Sequence, residues 1–381
     1  MKILHTSDWH LGRTLHAHSL LEDHKDALNQ VLKELSNDYD AIIISGDIYD
    51  RAVPPQEAVT LFSSFLKEIS KQKIQAIIIP GNHDSPERLG FADTILDEAG
   101  IHFRCDYSRL NNAVTIKDKK GYEVDIFALP FVEKNIIKEK FDNNNITDHL
   151  SATQKALEII KKSIRKNIPS VLVAHAFVGK NSHESESERI FIGGAYLVPA
   201  NVFEGFDYVA LGHLHKPQKV DKSYFRYSGS LFPYSFSETE YKKEIIRLEF
   251  DNNNLSIKSI KLKPLHEVSA FEDEFHELLN NSKYDSYKNN YVSIRLTDDK
   301  YHINTFNQLK NRFPLLLELR QIALEAKTNI LIKQKTNKDS PNEIFDLFLD
   351  YFNWNDSDER KIAENIFIKT LENVEIDRRK A

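Results

Sequence analysis

The chain has a single cysteine in 381 residues. Cys105 therefore has no intramolecular disulfide partner, and a thiolate metal cage is excluded. Its default role is a small core hydrophobe, which fits a reducing compartment. Long apolar runs are missing as well, since no stretch approaches the ~20 residues that cross a bilayer. The opening residues Lys2-Ile3-Leu4-His5-Thr6-Ser7-Asp8 form no apolar signal region, and a soluble, cytoplasmic protein is expected. There is no excess of basic charge: 51 Lys plus Arg against 57 Asp plus Glu leave −6. Non-specific nucleic-acid binding through bulk charge needs a basic face. A polyanionic substrate would have to be held by local basic patches or by metal ions. No internal repeat is visible.

What is present is a strand and helix alternation long enough for two or three domains. Residues 2–7 read as a strand ending in Asp8-Trp9-His10, whose extended backbone is expected to point both polar side chains the same way. A helix at 20–36 precedes Ala41-Ile42-Ile43-Ile44-Ser45-Gly46-Asp47, a short β-branched run of the buried parallel type. A second helix covers 56–71, with Val59, Phe62, Leu66 and Ile69 expected to face inward. Gln75–Pro80 is another buried strand, ending in Gly81-Asn82-His83-Asp84, and Ser85-Pro86 signals a new helix. From about 112 the strands look antiparallel (113–117 and 122–129). A helix at 151–166 then leads to 171–175, which ends in His175, and 179–189 reads as a polar excursion. Tyr208–Leu211 ends in Gly212-His213-Leu214-His215, and strands follow at 224–228, 244–250 and 255–262. The expected fold class is α/β, a four-layer αββα sandwich over 1–264 with one parallel and one antiparallel sheet and helices outside. Residues 265–328 read as a small α+β domain: strand, helix 271–280, strand 291–296, helix 303–312, strand 315–322. A linker at 329–339 leads to a helical pair at 340–381, opened by the capping box Ser340-Pro341-Asn342-Glu343.

In an open α/β sheet, ligands bind outside the carboxyl ends of the strands. Collected there are Asp8 and His10, Asp47, Asn82 and His83, His175, and His213 and His215. A single Asp or His at a strand end is ordinarily a cap, a turn former or a satisfied polar group. Gly-Asn-His-Asp alone could be a turn. The whole set in chain order is harder to read that way. Carboxylate, imidazole and amide oxygen without sulfur suit Mn²⁺ above all, with Fe, Zn or Mg as other occupants. Seven ligands exceed one ion and fit two that share a carboxylate, with Asp47 the natural bridge. Two ions ~3.5–4 Å apart clamp the attacking and leaving oxygens of a displacement at phosphorus. His83, next to a ligand, is the natural proton donor or charge stabiliser for the leaving oxygen.

This wording resembles the calcineurin-like metallophosphoesterase superfamily. Gly46-Asp47-Ile48-Tyr49-Asp50-Arg51, Gly81-Asn82-His83-Asp84-Ser85-Pro86-Glu87-Arg88, Gly212-His213-Leu214-His215-Lys216-Pro217-Gln218 and Tyr227-Ser228-Gly229-Ser230 are similar to its SbcD branch of nuclease subunits. The resemblance is strong over 1–240 and thinner over 265–381. It departs at Leu231-Phe232-Pro233, where Pro is expected directly after Ser230. It implies one Mn²⁺ on Asp8, His10, Asp47 and His215, and another on Asp47, Asn82, His175 and His213, with His83 catalytic. It also implies a homodimer, a DNA-placing cap at 265–328, and C-terminal helices that dock on the coiled-coil ATPase SbcC. The activity implied is double-strand exonuclease and single-strand or hairpin endonuclease, used on DNA ends in repair, replication and recombination.

The apolar stripes of the tail (344–352 and 362–374) support docking, since exposed apolar patches mark partner sites; the plainer alternative is that they pack on each other or on the cap. The tail is net −4, six basic against ten acidic over 340–381, so it is not a DNA arm. Lys161, Lys162, Arg165 and Lys166 cluster on one helix, but read more simply as charges complementing a helix C-terminus. A small-substrate phosphatase or cyclic-nucleotide phosphodiesterase could use the same ligands, yet has no need of a tethered helical pair. A metal-free scaffold on this fold would lack ligands, and none is missing.

Overall fold

The computed structural model describes residues 1–179, 196–251, 254–298 and 304–322, with the isolated positions Phe345, Arg360, Lys361, Ala363, Ile366 and Phe367. The polar excursion, the linker and almost all of the expected helical pair lie outside the described residues. The chain divides into two units, Met1–Ala270 with Asn289–Val292, and Phe271–Lys288 with Ser293–Ala381.

In chain order the first unit contains β1 (Lys2–Thr6), a small hairpin of β2 (Thr14–Leu15) and β3 (His18–Ser19), α1 (Leu21–Leu35), β4 (Ala41–Ser45), α2 (Gln56–Gln72) and β5 (Gln75–Ile79). There follow α3 (Pro86–Leu89), α4 (Asp93–Glu98), β6 (Ile101–Phe103), β7 (Val114–Lys117), β8 (Glu123–Leu129), α5 (Lys134–Lys140) and α6 (His149–Lys161). It continues with β9 (Ser170–His175), β10 (Tyr208–Gly212), β11 (Gln218–Val220), β12 (Lys222–Tyr227), β13 (Glu244–Asp251) and β14 (Asn254–Lys261). One sheet runs β14-β13-β1-β4-β5-β6 and the other β11-β12-β10-β9-β8-β7.

The expectation of one parallel and one antiparallel sheet is corrected here. In each sheet four strands are mutually parallel: β1, β4, β5 and β6 in the first, β12, β10, β9 and β8 in the second. Antiparallel pairing is confined to the flanks, where β13 returns beside β1 with Ile3 opposite Leu248, and β7 and β11 close the edges of the second sheet. Parallel strands need both faces covered, and the burial alternates to match. Ile42, Ile44, Ala76 and Ile78 pack against Leu28, Val31, Phe62 and Phe65 of α1 and α2. Ile43, Ile77 and Ile79 turn the other way, onto Ile126, Val171, Val173 and Ala210 of the second sheet. The opposite faces of that sheet, through Phe127, Leu172 and Val209, meet Ala156, Leu157 and Ile160 of α6. The result is the expected four-layer sandwich.

Val59 does not face inward; it is 44% exposed. Phe62 and Ile69 are buried as expected and Leu66 packs against the core half-buried, while Ala58 and Phe65 complete the buried stripe of α2.

The rest of the described chain builds β15 (Val268–Asp273), α7 (Phe275–Asn280), β16 (Tyr291–Leu296), α8 (Thr305–Arg312) and β17 (Leu316–Gln321), with sheet order β15-β16-β17. Residues 271–273 are strand rather than helix. Their period-two burial prevails, and α7 starts only where Asp298 Oδ2 accepts the amide of Phe275 at 2.7 Å. The rings of Phe345 and Phe367 stack with centroids 4.1 Å apart.

Candidate metal centre

The five strands whose ends carry polar residues, β1, β4, β5, β9 and β10, deliver them to one rim of the sandwich. Delivery depends on tight turns. Asp8, His10 and Asp47 adopt φ of 53°, 43° and 50°, so Asp8 and His10 converge through left-handed turns and not through an extended backbone. That conformation is costly for a residue with a Cβ. It is held by a backbone ladder in which Asp8 N donates to Gly46 O, His10 N to Asp47 O and Leu11 N to Ile48 O, at 3.0, 3.0 and 2.9 Å. Close approach also needs glycine. A Cβ on Gly81 would lie 2.0 Å from Asp47 Oδ1, and one on Gly46 would lie 2.3 Å from His175 Nδ1.

Asp47 sits at the middle of the rim. Its Oδ2 is 3.6 Å from His10 Nε2 and 3.4 Å from His175 Nε2, while Oδ1 accepts the His83 amide at 3.0 Å. On one side, Asp8, His10 and His215 bring ligand atoms within 4.8 Å of one another; Asp8, Asp47 and His175 do the same. On the other, Asn82 Oδ1 is 3.0 Å from His175 Nε2 and 3.1 Å from His213 Nδ1. Apart from the half-buried Asn82 and His83, these residues are buried. Burial opposes charge on Asp47, yet the His175, His10 and His83 rings hold its carboxyl well below the usual carboxylate range. Burial, with His175 adjacent, pushes the His213 imidazole down to about 3. It also keeps His10 neutral, well below the usual histidine value.

Neutral imidazole and ionised carboxylate are the forms that bind a metal. His10 Nε2 and His215 Nε2 face each other at 3.0 Å. Glu238 Oε1 lies 3.2 Å from His215 Nδ1 and favours a proton there, whereas His10 Nδ1 has no hydrogen-bond partner among the described residues, with the Asp50 carboxylate 3.7 Å away. The two Nε2 atoms face a common space that a cation can occupy. The Ser45 carbonyl accepts from His175 Nδ1 at 2.8 Å and turns Nε2 toward Asp47. Against burial, Asp47 raises this imidazole to about 9, and burial pushes the Asp8 carboxyl up to about 7, so both give up protons when a metal binds. The residues fit a pair of divalent ions.

The family model of calcineurin-like phosphoesterases matches residues 1–217. The chain belongs to that family. A curated relative from Staphylococcus saprophyticus, named as the SbcD subunit of the nuclease SbcCD, is 34% identical over 333 residues, 87% of this chain and 87% of the relative. Its namesake from Staphylococcus epidermidis is 32% identical over 333 residues, 86% of this chain and 87% of the relative. Membership thus extends to the SbcD nuclease subunits, and the calcineurin-like phosphoesterase described here is a metal-dependent phosphodiester hydrolase. Among solved structures, a β-glucosidase from Exiguobacterium marinum superposes at TM-score 0.21 with 10% identity, covering 84% of this chain and 89% of its own. No helix among the described residues is long and apolar enough to cross a membrane.

All eight residues singled out in the sequence meet at this rim of the phosphoesterase domain. His83 stands over His10, ring centroids 4.8 Å apart, and its Nδ1 donates to the Asp50 carbonyl at 2.8 Å. Its Nε2 is left to hold or release a proton. Sequence reasoning missed Asp84, whose carboxylate accepts three amides: Ile48 N at 3.0, Tyr49 N at 2.9 and Gly81 N at 2.9 Å. It ties the loop after β4 to the loop after β5, and so fixes Asp47 relative to Asn82. Its place inside Gly-Asn-His-Asp was the only available signal. Lys161, Lys162, Arg165 and Lys166 read from the sequence as solvated charges at the end of one helix, but α6 ends at Lys161 and three of them have fixed partners: Lys162 pairs with Glu158 at 2.6 Å, Arg165 with Asp125 at 2.6 Å, and Lys161 donates to the Val202 carbonyl at 2.8 Å.

Proposed function

We propose that this chain is the nuclease subunit of an SbcCD-type complex, cutting DNA with two Mn²⁺ ions. Asp8, His10, Asp47 and His215 hold one ion, Asp47, Asn82, His175 and His213 the other, and His83 is the catalytic residue. The carrying observation is Asp47 Oδ2, which lies within 3.6 Å of a histidine from each ligand set, as a bridging carboxylate must. Bound there, the ions supply Lewis acidity at phosphorus. The chain does the rest. Asp84 and the glycine turns keep the ligands at fixed spacing, so little reorganisation accompanies the reaction. His83, oriented by the Asp50 carbonyl, delivers a proton from Nε2 to the departing oxygen.

A net charge of −6 leaves no general affinity for polyanions, so the ions and local contacts anchor the substrate. Residues 265–328 help to place DNA and 340–381 dock on the coiled coils of the SbcC ATPase, in an assembly with two nuclease subunits. Double-strand ends and hairpins are the expected substrates, in repair, replication and recombination.

The test is cleavage of an end-labelled duplex and a hairpin with and without Mn²⁺, with His83→Ala as control. Metal-dependent cleavage, reduced ~10²–10⁴-fold in the variant, is expected for loss of a general acid. Activity confined to small phosphate esters would overturn the nuclease assignment. Deletion of 340–381 should abolish association with the ATPase, and undiminished binding would refute docking.

A further inference from the structure

Behind His215 lies a buried ion pair that the metal ligands do not require. Glu238 and Lys243 are 0% and 3% exposed, with Glu238 Oε2 and Lys243 Nζ 2.6 Å apart. Buried pairs are poor stabilising devices, because desolvating both charges offsets their attraction. Both also reach His215, and Lys243 Nζ lies 4.8 Å from the centroid of the Tyr241 ring. Glu238 Oε1 lies 3.2 Å from His215 Nδ1, and Lys243 Nζ donates to the His215 carbonyl at 3.0 Å and to Ser230 Oγ at 2.7 Å. Ser230 N donates to the same carbonyl at 3.1 Å. The ring and the backbone of His215 are thus gripped together.

We infer that Glu238 and Lys243 are positioning residues for His215: Glu238 takes the Nδ1 proton and aims Nε2 at the ion shared with His10, and Lys243 fixes Glu238. This rests on His215 being a ligand. A carboxylate behind a ligating histidine fixes its tautomer and ring orientation, and its loss typically costs 10–100-fold in metal affinity. The other histidines have different partners: His175 uses the Ser45 carbonyl, and His213 Nδ1 faces Asn82. The pair therefore bears on one of the two ions.

Titration calorimetry with Mn²⁺ on the full chain tests this. Wild type should bind two ions. Glu238→Gln should weaken one of them ~10–100-fold and leave the other within twofold. Glu238→Gln with Lys243→Met removes both buried charges and keeps the interior neutral, and should show the same selective loss. A variant-free readout is the long-range ¹H–¹⁵N spectrum of the metal-free wild type, where His215 should carry its proton on Nδ1. A proton on Nε2, or a folded double variant that binds both ions like wild type, overturns the positioning role alone. A wild type that binds fewer than two ions overturns the two-ion reading and this one with it.

Discussion

Gly81→Ala is the sharpest perturbation of the centre. The added methyl would meet Asp47 Oδ1 at 2.0 Å and the Asp47 amide nitrogen at 2.5 Å. Ordinary contact lies near 3.4 Å, so the carboxylate or the turn carrying it must retreat by about 1.4 Å, on the scale at which misplacement costs ~10²-fold in rate. Gly81 is not in the left-handed region, so the effect is steric rather than torsional. Because Asp47 Oδ2 faces His10 and His175 alike, both ions should weaken together. Overpacking of this kind costs about 1–3 kcal/mol of stability, not enough to unfold a domain of this size. Gly205→Ala is the control: at φ 104° with nothing within 4 Å of its added methyl, it should lose about 1–2 kcal/mol through backbone strain and keep both ions. Calorimetric Mn²⁺ titration, urea unfolding and duplex cleavage on the three proteins separate the effects. Wild-type affinity for both ions in Gly81→Ala, with cleavage within twofold, would refute the packing argument.

Asp84→Asn should cost about 2–4 kcal/mol by urea unfolding, since one of three amide donors must lose its acceptor in a buried site; a change below about 0.5 kcal/mol would mean the loops hold without it. His5 and His24 are fully buried, and burial pushes each down to about 3 from an ordinary 6.5. The unfolded chain therefore takes up protons that the folded one refuses. Their contribution to stability is complete above about pH 6.5 and falls as pH drops toward 3, by ~1.4 kcal/mol per pH unit for each ring. In chelator, His24→Gln should flatten that dependence by about one proton, and an unchanged slope would refute it. Lys161→Ala and Lys162→Ala should leave duplex cleavage and its salt dependence unchanged, whereas a slope reduced by ~1 would make either residue a phosphate contact.

The residues themselves were legible because each inner strand is a short, doubly buried apolar run, and such a run announces its own end. Ala41–Ser45 followed by Gly46-Asp47, or Tyr208–Gly212 followed by His213, needs no knowledge of neighbours. The donor types then named the chemistry. Sheet assignment was less legible. β13 pairs with β1 across some 240 residues of sequence, and nothing local distinguishes its alternation from that of an independent antiparallel sheet. Val59 was misread as inward-facing for a related reason, since periodicity gives a stripe's width and only packing fixes its centre.

Composition and pattern by themselves determined that this chain would carry, at its strand ends, a cysteine-free set of oxygen and nitrogen donors of the kind that suits a divalent metal. Tertiary structure alone decided how those donors are aimed: the left-handed turns at Asp8 and His10, the Asp84 clasp, and Glu238 with Lys243 behind His215. Glu238 and Lys243 sit in Ser237-Glu238-Thr239-Glu240-Tyr241-Lys242-Lys243, where they look like any solvated charges. What a charge does depends on the dielectric and the partners around it, and those are supplied only when distant segments close over it.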